Sequence, residues 1–296
     1  MILIRFTRRV VCPLVVVCAV AAQGVGAAAA KKVGAAKCAP PSRVVSLSPT
    51  ATEMLFAVGA GKQVVAVDDQ SSYPTNAPRT KLSGFKPNAE AVIKYKPDLV
   101  LISNDANNLV KTLRTAKVRV VVAPAAARLD DSFRQIGQIG GLTCNGVRAK
   151  KLVANLKRRV AAIVADVPAN APALSYFHEL DDKLYSVTSK TFVGDVYARL
   201  GLRNIADEAD ATGSGYPQLS AEFLIAKSPD LIFLADTKCC AQSAETVAAR
   251  PGWSAIAAVK KGNVVALDDD IASRWGPRTV DFLATVAARV KSARAT

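Results

Sequence analysis

The chain carries one fifteen-residue phrase twice: AEAVIKYKPDLVLIS at residues 89–103 and AEFLIAKSPDLIFLA at 221–235, with six positions identical. Each copy dictates the same local structure. Asn88 and Ser220 stand where a helix needs an N-cap. Glu90 and Glu222 fall in the first turn, where the helix dipole favours an anion. Pro97 and Pro229 stop the helix, and Asp98 and Asp230 turn the chain. The apolar runs LVLIS and LIFLA read as strands buried on both faces of a parallel sheet. A chain that repeats such a unit far along its length is expected to form two similar α/β lobes.

The segments around the repeat support this reading. RVVSLS, QVVAVD and VRVVVAP read as strands before the midpoint, and ALSYFHE and NVVALD as strands after it. Between the halves, Val147, Leu152, Leu156, Val160, Ile163 and Val164 recur at helical spacing. The segment 145–167 is therefore expected as one helix, a rod of roughly 30 Å at 1.5 Å per residue. The expected fold is α/β: two lobes with central, mainly parallel sheets, joined by a single long rigid helix, with a ligand cleft between them. The division is a signal peptide at 1–28, a linker at 29–41, an N-terminal lobe at 42–144, the linking helix at 145–167 and a C-terminal lobe at 168–296.

The first residues have the layout of a secretory signal: Arg5, Arg8 and Arg9, then an apolar run from Val10 to Ala22, then small residues. The run contains Pro13 and is shorter than the ~20 residues a membrane span needs. The expected location is outside the cytoplasmic membrane, periplasmic or at the cell surface. A lipoprotein signal would place a small residue before Cys18, and Val17 stands there, so a soluble exported form is preferred and anchoring through Cys18 is the alternative. Export leaves four cysteines, which allow three pairings. Cys38 with Cys144 is favoured, leaving the adjacent Cys239 and Cys240 to close on each other.

The formal net charge is +15, or +12 without the three leading arginines. The cations are scattered, with no aromatic-interleaved basic stripe, so a nucleic-acid partner is not expected. No Gly-x-Ser-x-Gly elbow or phosphate loop occurs, and His178, the single histidine, has no triad signature around it. An enzyme is not expected, and neither a resident metal nor a cofactor.

Ligands of parallel α/β sheets gather beyond the carboxyl ends of the strands. The loops there hold a large share of the few aromatics: Tyr73, Phe85, Tyr185, Tyr216 and Trp275. Gly213 and Gly215 free the backbone beside Tyr216. Aromatic rings on polar loops cost solvation unless they meet something flat or apolar. His178, at the end of its strand, is a candidate axial ligand to a ligand-borne metal, and Arg274 a candidate contact for an anionic chelate.

RVVSLSPTATEMLFAVGAG, KPDLVLIS, the long linking helix, TFVGDVYARLGLRNIAD and YPQLSAEFLIAKSPDLI together resemble the ABC-importer binding proteins for cobalamin and iron complexes. The resemblance covers roughly residues 42–290. It implies a monomeric protein that captures a metal chelate, cobalamin or another corrinoid first and a ferric siderophore or haem as the alternative, and delivers it to a membrane permease. It implies that Glu90 and Glu222 dock onto that permease, and that Tyr73, Phe85 and Tyr216 lie near ligand-stacking positions. Ser103, Ile271 and Ala272 stand where relatives carry aromatics. An envelope ligand sensor on the same scaffold is the alternative of another class.

Overall fold

The computed structural model describes residues 38–168 and 172–295. The expected signal segment, Cys18 and most of the expected linker lie outside the described residues.

The first half runs β1 (Val44–Leu47), α1 (Pro49–Ala57), β2 (Val64–Val67), α2 (Ala89–Ile93), β3 (Leu99–Ile102), α3 (Leu109–Thr115), β4 (Arg119–Val122) and α4 (Leu129–Leu142). Helix α5 (Gly146–Ala165) follows. The second half runs β5 (Ser175–Glu179), α6 (Phe192–Ala198), β6 (Arg203–Asn204), α7 (Ala221–Lys227), β7 (Leu231–Leu234), α8 (Ala244–Ala248), α9 (Ala257–Lys260), β8 (Val264–Ala266), α10 (Asp269–Ser273) and α11 (Thr279–Ala295). The C-terminal helix α11 spans 17 residues.

The two halves repeat one topology. Their four-stranded sheets have the orders β2-β1-β3-β4 and β6-β5-β7-β8, and every pairing is parallel. The repeated phrase supplies the third strand of each sheet together with the helix before it. Its N-caps form as expected: Asn88 Oδ1 accepts from Ala91 N at 2.9 Å, and Ser220 Oγ accepts from Phe223 N at 3.1 Å.

The repeated aspartate does more than turn the chain. Asp98 accepts from Ser42 N at 2.7 Å, Ser42 Oγ at 2.8 Å and Arg43 N at 3.0 Å. Asp230 accepts from Ser175 N and Ser175 Oγ, both at 2.8 Å. Each carboxylate thus fixes the start of the neighbouring central strand, which sets the register of β1 on β3 and of β5 on β7. Burial alone would push the Asp98 carboxyl up, but the hydrogen bonds from Ser42 and Arg43 outweigh it and hold it below the usual range.

Strand alternation sends each sheet's side chains to two different cores. Val45, Leu47, Val100 and Ile102 face a core private to the first lobe. Phe177, Ile232 and Leu234 face one private to the second. The opposite faces, with Val44, Leu99, Tyr176 and Phe233, share a single continuous core with α1, α4, α5, α6 and α11. Ala149, Leu156 and Val160 are the fully buried stripe of α5 within it. Because apolar packing runs unbroken from one sheet to the other, the halves are braced by side chains as well as by the connecting helix. A disulfide joins Cys38 to Cys144 across a sequence separation of 106 and ties the chain ahead of β1 to the approach of α5. Cys239 is bonded to Cys240. No helix among the described residues is long and apolar enough to cross a membrane.

Candidate functional site

The loops leaving the carboxyl ends of the strands carry the exposed aromatics. Among the described residues six large apolar side chains are exposed, and four of them are Tyr73, Phe85, Tyr185 and Tyr216. Water contact with rings on folded loops is unfavourable, and these four are concentrated on loops beyond the strand ends.

On the first lobe, the loop after β2 is folded back onto the sheet edge. Leu82 bridges Asp68, and Asp69 N donates to Leu82 O at 2.7 Å. Gly84 then presses against the ends of β1 and β2: a Cβ there would sit 2.8 Å from Leu47 O and 2.7 Å from Asp68 Oδ2. Only glycine allows that approach, and it sets Phe85, 78% exposed, on the rim of the sheet.

On the second lobe, two loops pair with each other. Tyr185 forms an antiparallel bridge with Gln218, Ser186 N donates to Pro217 O, and Thr188 N donates to Gly215 O. Asp210 accepts from Ser214 N and Gly215 N, both at 2.9 Å. Gly213 and Gly215 hold positive φ, as the sequence requires. Tyr185 and Tyr216 therefore sit on adjacent segments of one pinned platform.

The two rims meet at a polar seam. Glu53, on α1 and almost wholly buried, accepts from Arg278 Nε at 2.9 Å and from Arg274 Nη1 at 3.2 Å. Arg274 also donates to Asp270 at 2.6 Å and to Gln70 O at 3.0 Å. The Arg278 guanidinium lies over the Tyr73 ring, 4.0 Å from its centroid. A cavity of about 370 Å³ opens beside this seam between Glu53, Phe56, Tyr73, Pro74, Pro277 and Arg278. A second tie joins the lobes at the start of α4. Leu129 N donates to Asp195 at 3.0 Å, and Arg199 bridges Asp195 and Asp130.

This geometry corrects one expectation. His178 does not reach the cleft. It lies mid-sheet, fully buried, with Nδ1 2.8 Å from Tyr197 Oη and its ring edge-on to Phe282. Burial pushes its pKa down to about 3, so it is a neutral core residue and not an axial ligand. Arg274 donates to Glu53, Asp270 and Gln70, which ties the two lobes together at the seam. Trp275 is half-buried against the shared core and donates from Nε1 to Gln135 Oε1 at 3.0 Å.

Sequence reasoning missed Glu53 and a buried carboxylate pair below the second rim. Glu179 is fully buried and takes a two-pronged bond from Arg250, one prong at 2.7 Å. Asp236 beside it is also buried, and neither of its carboxyl oxygens has a hydrogen-bond partner among the described residues. Burial, and then the neighbouring Glu179, push its pKa up to about 7.

Glu90 and Glu222 are both exposed, each in the first turn of its helix, and neither enters an ion pair among the described residues. Backbone and Ser220 hydrogen bonds hold the Glu222 carboxyl below its usual range. Among the described residues no group of three or more His, Cys, Asp or Glu side chains is placed to hold a metal ion.

Residues 44–271 match the model of a family described as periplasmic binding protein. A cobalamin-binding protein of Halobacterium salinarum is 34% identical over 256 residues, spanning 83% of this chain and 69% of that protein. Among solved structures, a possible iron-binding, periplasmic solute-binding protein of Staphylococcus epidermidis aligns with a TM-score of 0.74 at 29% identity. That alignment covers 85% of this chain and 99% of the other. The vitamin B12 binding protein BtuF of Vibrio cholerae aligns with a TM-score of 0.71 at 26% identity, over 87% of this chain and 99% of that one. The chain belongs to the periplasmic binding protein family and is an extracytoplasmic solute-binding component of an ABC importer, not an enzyme.

Proposed function

We propose that this protein captures a corrinoid such as cobalamin between its lobes and hands it to a membrane permease through Glu90 and Glu222. The observation that carries the reading is the set of exposed rings, Tyr73, Phe85, Tyr185 and Tyr216, held on pinned loops of both lobes. A large, rigid, flat solute suits a surface that is already ordered, because little conformational entropy remains to be lost by either partner. The cobalamin-binding and vitamin B12 binding relatives support the choice of ligand. The paired glutamates on equivalent helices, without ion pairs among the described residues, support docking onto cationic groups of a permease.

A ferric siderophore or haem is the second reading. It is favoured by the phenols of Tyr185 and Tyr216, which offer oxygen ligands to ferric iron. His178 cannot serve that role from the core. The exported chain is read as a monomer without a lipid on Cys18, because Val17 precedes that cysteine.

The deciding experiment is titration of the purified protein with cyanocobalamin, haemin and several ferric siderophores, followed by absorbance and intrinsic fluorescence. Saturable binding of cyanocobalamin in preference to the others is expected. Flat responses to every chelate would sink the proposal, and preference for an iron complex would replace it with the second reading.

A further inference from the structure

The Cys239–Cys240 disulfide is not explained by stability. A disulfide stabilises a fold mainly by closing a loop of chain, and the benefit grows with the length of that loop. Cys38–Cys144 encloses a hundred-residue stretch, whereas Cys239–Cys240 joins sequence neighbours and closes none. Its consequence is local: it fixes the shape and chemistry of one small piece of surface.

That piece of surface is at the mouth between the lobes. The segment 236–240 leaves the carboxyl end of β7, the position where solutes collect in parallel sheets. Lys238 Nζ donates to Asp268 at 2.9 Å and to Asp270 at 3.1 Å. Asp270 in turn accepts from Arg274 and meets Ser72 Oγ of the first lobe at 3.5 Å. Cys239 is exposed and Cys240 half-exposed. The loop beneath them is clamped from several directions. Asp269 accepts from Thr237 N, Lys238 N and Cys239 N, Asp236 O accepts from Cys240 N, and Gln242 Nε2 donates to Cys240 O. Most of the polar backbone around the sulfurs is thus satisfied from within. Cys239 Sγ lies 3.8 Å from Asp236 O, and the exposed part of the pair adds a polarizable, weakly hydrogen-bonding element to a rim otherwise made of Lys238 and Asp268–Asp270.

We propose that the Cys239–Cys240 disulfide is a ligand-contacting ledge that selects for planar conjugated macrocycles. Sulfur makes favourable contacts with the edges and faces of π-systems, and the clamped loop presents both atoms at no further cost in ordering. A flat macrocycle gripped by the rings at Phe85 and Tyr216 gains a third apolar support from this ledge, whereas a compact, non-planar chelate does not. This inference rests on the proposed capture of a chelate between the lobes.

The test compares wild type with the Cys239→Ala/Cys240→Ala double variant, titrated with cyanocobalamin, haemin and, as the non-planar control, a ferric trihydroxamate. Loss of the ledge is expected to weaken binding of the planar chelates about tenfold and leave the control within about twofold. A second measurement does not depend on the variant folding. Wild type is reduced, then alkylated with iodoacetamide with and without saturating cyanocobalamin, and the sites are read by mass spectrometry. Cys239 and Cys240 are expected to be protected at least about tenfold, as an occluded ledge requires, with Cys38 and Cys144 as internal references. Equal affinities in a variant that keeps its Tm, or equal alkylation rates, would overturn the ledge while leaving chelate capture standing. A wild type that binds no chelate at all would overturn both.

Discussion

Arg278 stacks on Tyr73, with its guanidinium carbon 4.0 Å from the ring centroid, while the same guanidinium bonds Glu53 from the other lobe. One side chain therefore couples the inter-lobe seam to an exposed ring of the rim. Affinity and stability should respond together when this link is cut.

Glu53→Ala leaves Arg274 and Arg278 facing each other without their shared counter-ion. Unfolding in denaturant should show a loss of about 2–3 kcal/mol, below the ~3–5 kcal/mol of a fully buried pair because both guanidinia keep some water contact. Ligand affinity should fall in parallel through Tyr73. A variant as stable as wild type would show that the seam carries no net energy.

Phe85→Ala and Tyr216→Ala remove rings that contribute little to the folded core. Each should weaken chelate binding by about 1–2 kcal/mol, near tenfold, and change unfolding free energy by no more than about 0.5 kcal/mol. Calorimetric titration and a denaturant melt on the same samples check both halves.

Reversing charge at the two docking candidates, Glu90→Lys with Glu222→Lys, should abolish cellular uptake while leaving the chelate Kd unchanged. Either single reversal should give partial uptake. Full transport by the double variant would refute docking through these residues.

Asp236 gives a pH signature with a definite sign. Its folded pKa of about 7 lies above the 3.8 of an ordinary aspartate. Between those values the folded state holds a proton that the unfolded state has released, so stability falls as pH rises through this window. Asp236→Asn keeps the neutral form at every pH. Thermal melts from pH 4 to pH 8 should show the variant losing less Tm than wild type, with the widest gap at pH 8.

The doubled phrase made the topology legible: a helix, a turn and a buried strand in equivalent places required two similar sheets. The same letters also held what was missed. Asp98 and Asp230 read as turn residues, and only the folded chain shows their carboxylates capping Ser42 and Ser175, which are distant in sequence. His178 failed as a site residue for reasons of parity. It sits two positions after Tyr176 on β5, so both point into the shared core, and closeness to the strand end does not alter which face a side chain takes. The seam had a faint sign. Glu53 is the lone acid in an otherwise buried helix, which calls for an internal cation, and Arg274 and Arg278 are four residues apart beyond the last strand. Pairing them needed knowledge of which loops meet.

The unbroken packing across α4, α5 and α11 has a mechanical corollary. A molecule hinged on slender straps shuts like jaws, and its release rate is set by how often the jaws part. Here the halves share an interior, so any large swing would tear side chains out of contact. The aperture is consequently close to fixed. Under the proposed docking, the cargo's departure is forced from outside, by the membrane partner prying at two acidic handles.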